Sequence, residues 1–257
     1  MSNWAGDITI GLGWVYYDGP VGHTEFHQHY AAQICFPVAS PLQIETRGQI
    51  LNAEDVLVIG SNISHRLSAP SQTAKILYID PSLVREGYEK LGAGGVGSLS
   101  LSSAQERALE QALAAGPASR TTEFGFELTQ LIWPANSDHA ALPSIDPRIV
   151  RSLEDIDAAD DLNITLDRAA RAAGLSTGRF RHLFSAQIGM PLKSYLLWRK
   201  LQLAIQSLAK DSSLTRAAHI AGFADSAHLS RTFKRTFGLS PNELNRKANV
   251  TTRKSAL

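Results

Sequence analysis

One cysteine, Cys35, stands in a chain of 257 residues. An internal disulfide framework is therefore excluded, and the lone thiol fits a reducing compartment. Its neighbours in AAQICFPVA are apolar, so it is expected to be a buried packing residue. Also missing is any run of the ~18–20 apolar residues that a membrane helix needs. The first residues, MSNWAGDITIG, lack both the basic leader and the long apolar region of a signal peptide. The expectation is a soluble cytoplasmic protein with no membrane partner. No phosphate-binding loop, cysteine cluster or Ser-His-Asp arrangement raises those enzyme classes.

Basic residues are scarce in the first part of the chain and acidic ones in the second. Residues 1–161 hold 9 Lys and Arg against 20 Asp and Glu, a net of −11. Residues 162–257 hold 16 against 4, a net of +12, and the two sum to the +1 of the whole chain. An acidic front and a basic back suggest two domains, the second with a polyanionic partner.

Hydrophobic periodicity divides the chain in the same way. From about residue 8 to 80, short runs such as QICFPVA, LQIETRG, DVLVIG and AKILYID are separated by Pro, Gly, Asn and Ser. This rhythm predicts a barrel or sandwich of short strands. From about 102 the period becomes helical. Ser103 with Glu106 has the spacing of a capping box, with Leu109, Ala112 and Leu113 as the following stripe. A second stripe runs through Phe124, Leu128, Leu131 and Ile132. The polar, Pro-containing WPANSDHAALPSIDP then marks a linker, and everything after it reads as helix with no convincing strand. The expected domains are 1–136, a linker at 137–147, and 148–257.

The basic part repeats itself. AARAAGLSTGRFRHLFSAQIG resembles AAHIAGFADSAHLSRTFKRTFG: an Ala-rich helix, a break at Gly174 or Gly222, and a helix with Phe184 or Phe233 near its end. Each copy closes on a second glycine, Gly189 or Gly238. Two helices crossing steeply through a short turn need glycine for the turn and small residues at the crossing, here Ala173 and Ala221. Thr165 and Ser213 are the expected N-caps of the first helix in each pair. Phe180, Leu183, Phe184 and Ile188 form one buried stripe, and Leu229, Phe233 and Phe237 form the other. Thr177, Gly178, Arg179, Arg181, His182 and Ser185 are left facing out. The rings anchor each helix, and the donors suit a major groove. LKSYLLWRKLQLAIQSLAK, free of Gly and Pro, reads as a helix connecting the two pairs.

These residues resemble the DNA-binding domain of the AraC/XylS family of transcription regulators. The similarity covers 148–247 and is densest in A-x-x-A-G-F-x-D-S-x-H-L-S-R-x-F-K-x-x-F-G-x-S-P, 218–241. The first repeat departs from the pattern: after Gly189 it reads Met-Pro-Leu, so the connecting helix lacks a Ser or Thr cap. The resemblance implies that Arg179, Arg181, His182, Ser226, Ala227, Ser230, Arg231, Lys234 and Arg235 meet double-stranded DNA. Arg181 and Arg231 are the expected readers of guanine edges, because the guanidinium fork matches O6 and N7. Arg179, Lys234 and Arg235 are expected on phosphate.

In the front part, His23, His27, His29 and His65 are the residues to weigh. His27-Gln28-His29 with the later Ser64-His65 resembles the cupin barrel that many AraC/XylS regulators carry as a sensing domain. The resemblance implies a fold of two domains: an all-β cupin-like barrel with flanking helices, then an all-α double helix-turn-helix domain. In metal-binding cupins a Glu follows the second His by four residues, but here that position is Gln33. A neutral amide is a weaker ligand than a carboxylate. The expectation is therefore a small-molecule effector pocket at His27, His29, Gln33 and His65, with no cofactor and no required metal. The alternative is a metal at His27, His29 and His65, in a cupin dioxygenase or isomerase with an accessory helical domain. Helices at 103–115 and 121–133 read either as a homodimer surface or as a cover on the barrel. RNA polymerase is an expected partner if the chain is an activator.

Overall fold

The computed structural model describes residues 4–11, 13–38, 40–68, 72–81, 84, 95–117, 124–134, 145–159, 161–245 and 249–252. Residues 1–140 and 230–257 gather into one compact unit, and residues 141–229 into a second. Most of the expected linker, 137–144, lies outside the described residues.

The first unit contains strands β1 (Asp7–Gly11), β2 (Trp14–Val21), β3 (Ala32–Pro37), β4 (Leu42–Thr46), β5 (Ile50–Ala53), β6 (Val56–Ile59), β7 (His65–Ser68), β8 (Gln72–Ile79), β9 (Val96–Leu99) and β10 (Asn249–Thr252). They form a seven-stranded sheet in the order β10-β1-β2-β8-β3-β6-β9 and a three-stranded sheet in the order β5-β4-β7. The four runs read as strands in the sequence fall on β3, β4, β6 and β8. Strand β10 corrects the expectation that only helix follows the linker: it pairs in parallel with β1, Asp7 opposite Asn249. Its Val250, Thr251 and Thr252 are β-branched and suit extended backbone. Four residues are too few for a periodic signal.

Alternation along β3 sends its side chains to two environments. Ile34 and Phe36 join Trp14, Tyr16, Leu77 and Ile79 in an apolar core. Helices α1 (Ser103–Ala115) and α2 (Phe124–Ile132) complete that core with Leu109, Ala112, Phe124, Leu128 and Ile132. The Phe124 ring meets Tyr16 edge-on at 5.1 Å and Trp14 at 5.8 Å. Both stripes read from the sequence thus cover one face of the seven-stranded sheet. The capping box lies one residue earlier than expected. Ser102 Oγ accepts from Gln105 N at 3.4 Å, and the Gln105 side chain accepts from Ser102 N at 3.1 Å. The other face of β3 carries Gln33 and Cys35, both buried. Cys35 is a free thiol packed at full burial, and desolvation pushes its pKa up to about 12.

The second unit is helical: α3 (Pro147–Asp157), α4 (Leu166–Ala172), α5 (Thr177–Ile188), α6 (Leu192–Asp211) and α7 (Leu214–Ile220). Helix α8 (Ser226–Phe237) starts there and ends in the first unit, followed by α9 (Pro241–Asn245). The N-caps fall where the sequence places them, Thr165 accepting from Arg168 N and Ser213 from Arg216 N, each at 3.2 Å. Helix α6 has 20 residues, about 30 Å of rod. It starts at Pro191 without a side-chain cap, as the departure in the first repeat implies. Midway along it, Lys200 Nζ donates to Asn163 Oδ1 at 2.7 Å and to the Gly222 carbonyl at 3.0 Å. The carbonyl of the turn glycine that follows α7 is thereby given a donor.

Candidate functional site

The two turns are built alike. Gly174 at φ +65° donates to the Arg171 carbonyl, and Leu175 N donates to Ala170 O. Gly222 at φ +69° donates to the His219 carbonyl, and Phe223 N donates to Ala218 O. Left-handed backbone of this kind favours glycine. Each turn then leads into a capped helix. Ser176 Oγ receives Arg179 N at 3.4 Å, and Asp225 Oδ1 receives His228 N at 2.6 Å. The second turn is one residue longer, so α8 is offset from α5 by 49 residues while the glycines of the turns are offset by 48. Phe180, Phe184 and Ile188 thus correspond to Leu229, Phe233 and Phe237, and all six are buried. Leu183 is only half-buried. By the same offset, Arg181 stands where α8 has Ser230, and His182 where it has Arg231.

The faces opposite these stripes are accessible. Arg179, Arg181 and His182 on α5 are exposed, as are Ala227, Arg231, Lys234 and Arg235 on α8; Ser226 and Ser230 are half-buried. Among the described residues no carboxylate lies within ion-pair distance of Arg179, Arg181, Arg231 or Arg235. Lys234 differs: its Nζ is 2.6 Å from Glu25 Oε1, which raises its pKa.

The histidines converge for a reason of backbone pairing. His27 and His65 form an isolated antiparallel bridge, each N–H donating to the other's carbonyl at 2.9 Å. Asn62 N donates to the His29 carbonyl at 2.7 Å, and Thr24 N to the Leu67 carbonyl at 2.9 Å. Residues 24–29 are thereby laid along the start of β7. The rings of His27 and His65 come to 4.3 Å, and those of His29 and His65 to 5.2 Å. One ring nitrogen from each of the three lies within 4.8 Å of the others.

Each Nδ1 of the cluster is tied to a backbone carbonyl: His27 to Glu25 at 2.8 Å, His29 to Ala31 at 2.7 Å and His65 to Ile63 at 2.8 Å. A carbonyl only accepts, so each Nδ1 carries the proton. Gln33 Oε1 lies 3.2 Å from His29 Nε2 and 3.1 Å from His65 Nε2, while its amide nitrogen meets Cys35 Sγ at 3.2 Å. Burial holds all three rings neutral. The His27 pKa is lowered to about 3, first by desolvation and then by His29; desolvation likewise lowers His29, and takes His65 well below the ordinary value. His23 stands apart, exposed and bonded to Ser68 Oγ at 3.1 Å.

Two residues the sequence does not single out border the cluster. The Tyr78 ring meets His29 edge-on at 5.2 Å and Phe237 at 5.7 Å. Glu25 N donates to the Gly238 carbonyl at 2.8 Å. No local pattern marks either, since strand register and chain return bring them there.

Residues 169–247 match a helix-turn-helix domain family. A transcriptional activator of a Rhodococcus species, NphR, is 39% identical over 82 residues, 32% of this chain and 24% of that protein. A probable transcriptional regulator of Photobacterium leiognathi, LumQ, is 32% identical over 79 residues, 30% of this chain and 32% of that protein. The matched part is thus a third or less of either relative. Among solved structures, ToxT of Vibrio cholerae superposes with a TM-score of 0.59 at 10% identity, over 90% of this chain and 97% of that one. Its form bound to an unsaturated fatty acid gives 0.56 at 11% identity, over 95% of each chain. These likenesses establish a shared fold: a β-rich N-terminal part followed by a helical helix-turn-helix part. Residues 169–247 thus form a helix-turn-helix domain similar to those of named transcription regulators, carried on a two-part fold shared with ToxT.

Proposed function

We propose that this chain is a sequence-specific DNA-binding transcription regulator whose histidine-lined β unit senses a small ligand. The carrying observation is the pair of similarly built helices α5 and α8, each buried on its ring face and basic on its open face. Arg181 and Arg231 read base edges in the major groove. Arg179, Lys234 and Arg235 contact phosphate, while His182, Ser226, Ala227 and Ser230 line the same surface. The shift between the two arginines along their helices means they address different steps of their half-sites.

The ligand site of this reading is the cluster of His27, His29, Gln33 and His65. A ligand there regulates only if it favours one conformation over another, since equal affinity shifts nothing. A footprint of the purified protein on the DNA upstream of its own coding region tests the reading. Protection of two major-groove faces about 34 Å apart is the expected result. Uniform, sequence-independent coverage would contradict it.

A further inference from the structure

The two helix-turn-helix copies are alike in backbone but differ in how far their reading helices are covered. At matched positions, Leu183 and Gln187 of α5 are half-buried, whereas Thr232 and Thr236 of α8 are buried. Gly189 is half-buried, and its counterpart Gly238 is buried. Several ties hold the end of α8 within the first unit, to which residues 230–257 belong. Glu25 N donates to the Gly238 carbonyl at 2.8 Å, Glu25 Oε1 pairs with Lys234 at 2.6 Å, and the Tyr78 ring meets Phe237 at 5.7 Å. Beyond α9, strand β10 adds to the edge of β1 away from β2, with Asp7, Ile8, Thr9 and Ile10 opposite Asn249, Val250, Thr251 and Thr252. Helix α5 has Ser185 and Ala186 where α8 has Lys234 and Arg235, and among the described residues no carboxylate pairs with its arginines.

We propose that β10 is a latch that holds the end of α8 on the β unit, so that the second helix-turn-helix takes DNA only when the latch opens, while the first reads DNA regardless. The proposal rests on α5 and α8 being the DNA readers and adds the regulation of one of them. The closed state opposes DNA by charge. The Glu25 carboxylate occupies the ammonium that a phosphate needs and brings negative charge to that face. The Glu25 backbone is anchored at both ends, its N–H on Gly238 O and its carbonyl on His27 Nδ1, each at 2.8 Å, which keeps the side chain within reach of Lys234. The ion pair alone is exposed and weak. Strand β10 adds backbone hydrogen bonds to it, but only four residues of parallel pairing at a sheet edge near the chain end. Such a strand opens locally at far lower cost than the core of the sheet. A latch closed about nine-tenths of the time lowers the apparent affinity of the second unit about tenfold.

Locking the latch and removing it test the proposal from both sides. Asp7→Cys with Asn249→Cys places two thiols at paired positions of the full-length chain. Asp7 is exposed and Cys35 is buried, so the engineered thiols are the accessible ones. Oxidised, this variant should protect only the α5 half of the footprint on its upstream DNA, and reduction should restore both halves. A chain ending at Ala248 should bind the whole site about tenfold tighter than wild type, and a duplex carrying only the α5 half-site equally well. Protection of both halves by the joined form would overturn the proposal. So would thiols that fail to join in folded, DNA-free protein on non-reducing electrophoresis, or a shortened chain, folded by circular dichroism, whose affinity is unchanged. If the shortened chain does not fold, the locked variant decides alone. Absence of sequence-specific protection by every form, wild type included, would overturn the regulator reading instead.

Discussion

Lys234 of helix α8 is ion-paired with Glu25, two residues before His27, at 2.6 Å. Both side chains are largely exposed, so the pair contributes little to folding. On the proposed phosphate role of Lys234, its effect falls on DNA binding, because a phosphate and Glu25 would compete for the same ammonium. Glu25→Gln should strengthen DNA binding about two- to fivefold at low salt, with the gain fading as salt rises. Unchanged affinity in a salt series of gel shifts would show that Lys234 does not meet the backbone.

The base-reading and phosphate-contacting assignments separate in mutants. Arg181→Ala and Arg231→Ala should each cost about 1–3 kcal/mol on the specific site and relax base preference there. Lys234→Ala should weaken specific and random duplexes alike and lower the log–log salt slope by about 0.9. Equal losses on both duplexes for the two arginines would place them on phosphate instead.

Two glycines with the same backbone angle should respond differently to alanine. Gly174 (φ +65°) has open space where a Cβ would go, so Gly174→Ala carries only the left-handed penalty, about 1–2 kcal/mol. At Gly238 (φ +70°) a Cβ would lie 2.5 Å from both the Glu25 carbonyl oxygen and His27 Nδ1. Gly238→Ala should therefore destabilise the first unit further and disturb His27. Urea unfolding of the two variants checks the order, and equal losses would mean that the end of α8 yields freely.

Acid should weaken the β unit through its histidines. The folded-state pKa of His27 is lowered to about 3, below its ordinary 6.5, so the folded state favours the neutral ring. The stability this provides is full above pH 6.5 and is lost as pH falls from 6.5 toward 3. The unfolded chain binds the extra proton first. Each such ring contributes a slope of up to about 1.4 kcal/mol per pH unit. In chelator-treated protein, urea midpoints should fall between pH 7 and 4, and His27→Gln should flatten the decline. A midpoint independent of pH over that interval would show that the rings are not held neutral by burial.

The helix-turn-helix pairs were legible because their signals are local. Caps at Thr165 and Ser213, turn glycines and stripes four residues apart all fall within short windows. The histidine cluster was legible as residues but not as geometry. Gln33 and His65 are 32 positions apart, and the three rings meet through the bridge of His27 with His65 and the bond from Asn62 N to the His29 carbonyl. Similarly, nothing near Tyr78 or Glu25 announces their contacts with Phe237 and Gly238. The capping box slipped by one residue because Ser102 with Gln105 and Ser103 with Glu106 both fit the pattern. Tertiary packing of Leu109 and Ala112 accompanies the first of the two registers.

The central claim is that exposed arginines on α5 and α8 read specific DNA. The most direct measurement is the dissociation constant of the full-length chain for its own upstream DNA and for a random duplex of equal length, across a salt series. The account predicts tighter binding to the upstream site, by about a thousandfold or more at physiological salt, and a steep loss of both as salt rises. Arg181→Ala and Arg231→Ala should each narrow the gap. Equal affinity for the two duplexes at every salt concentration, unaltered by either substitution, would contradict it.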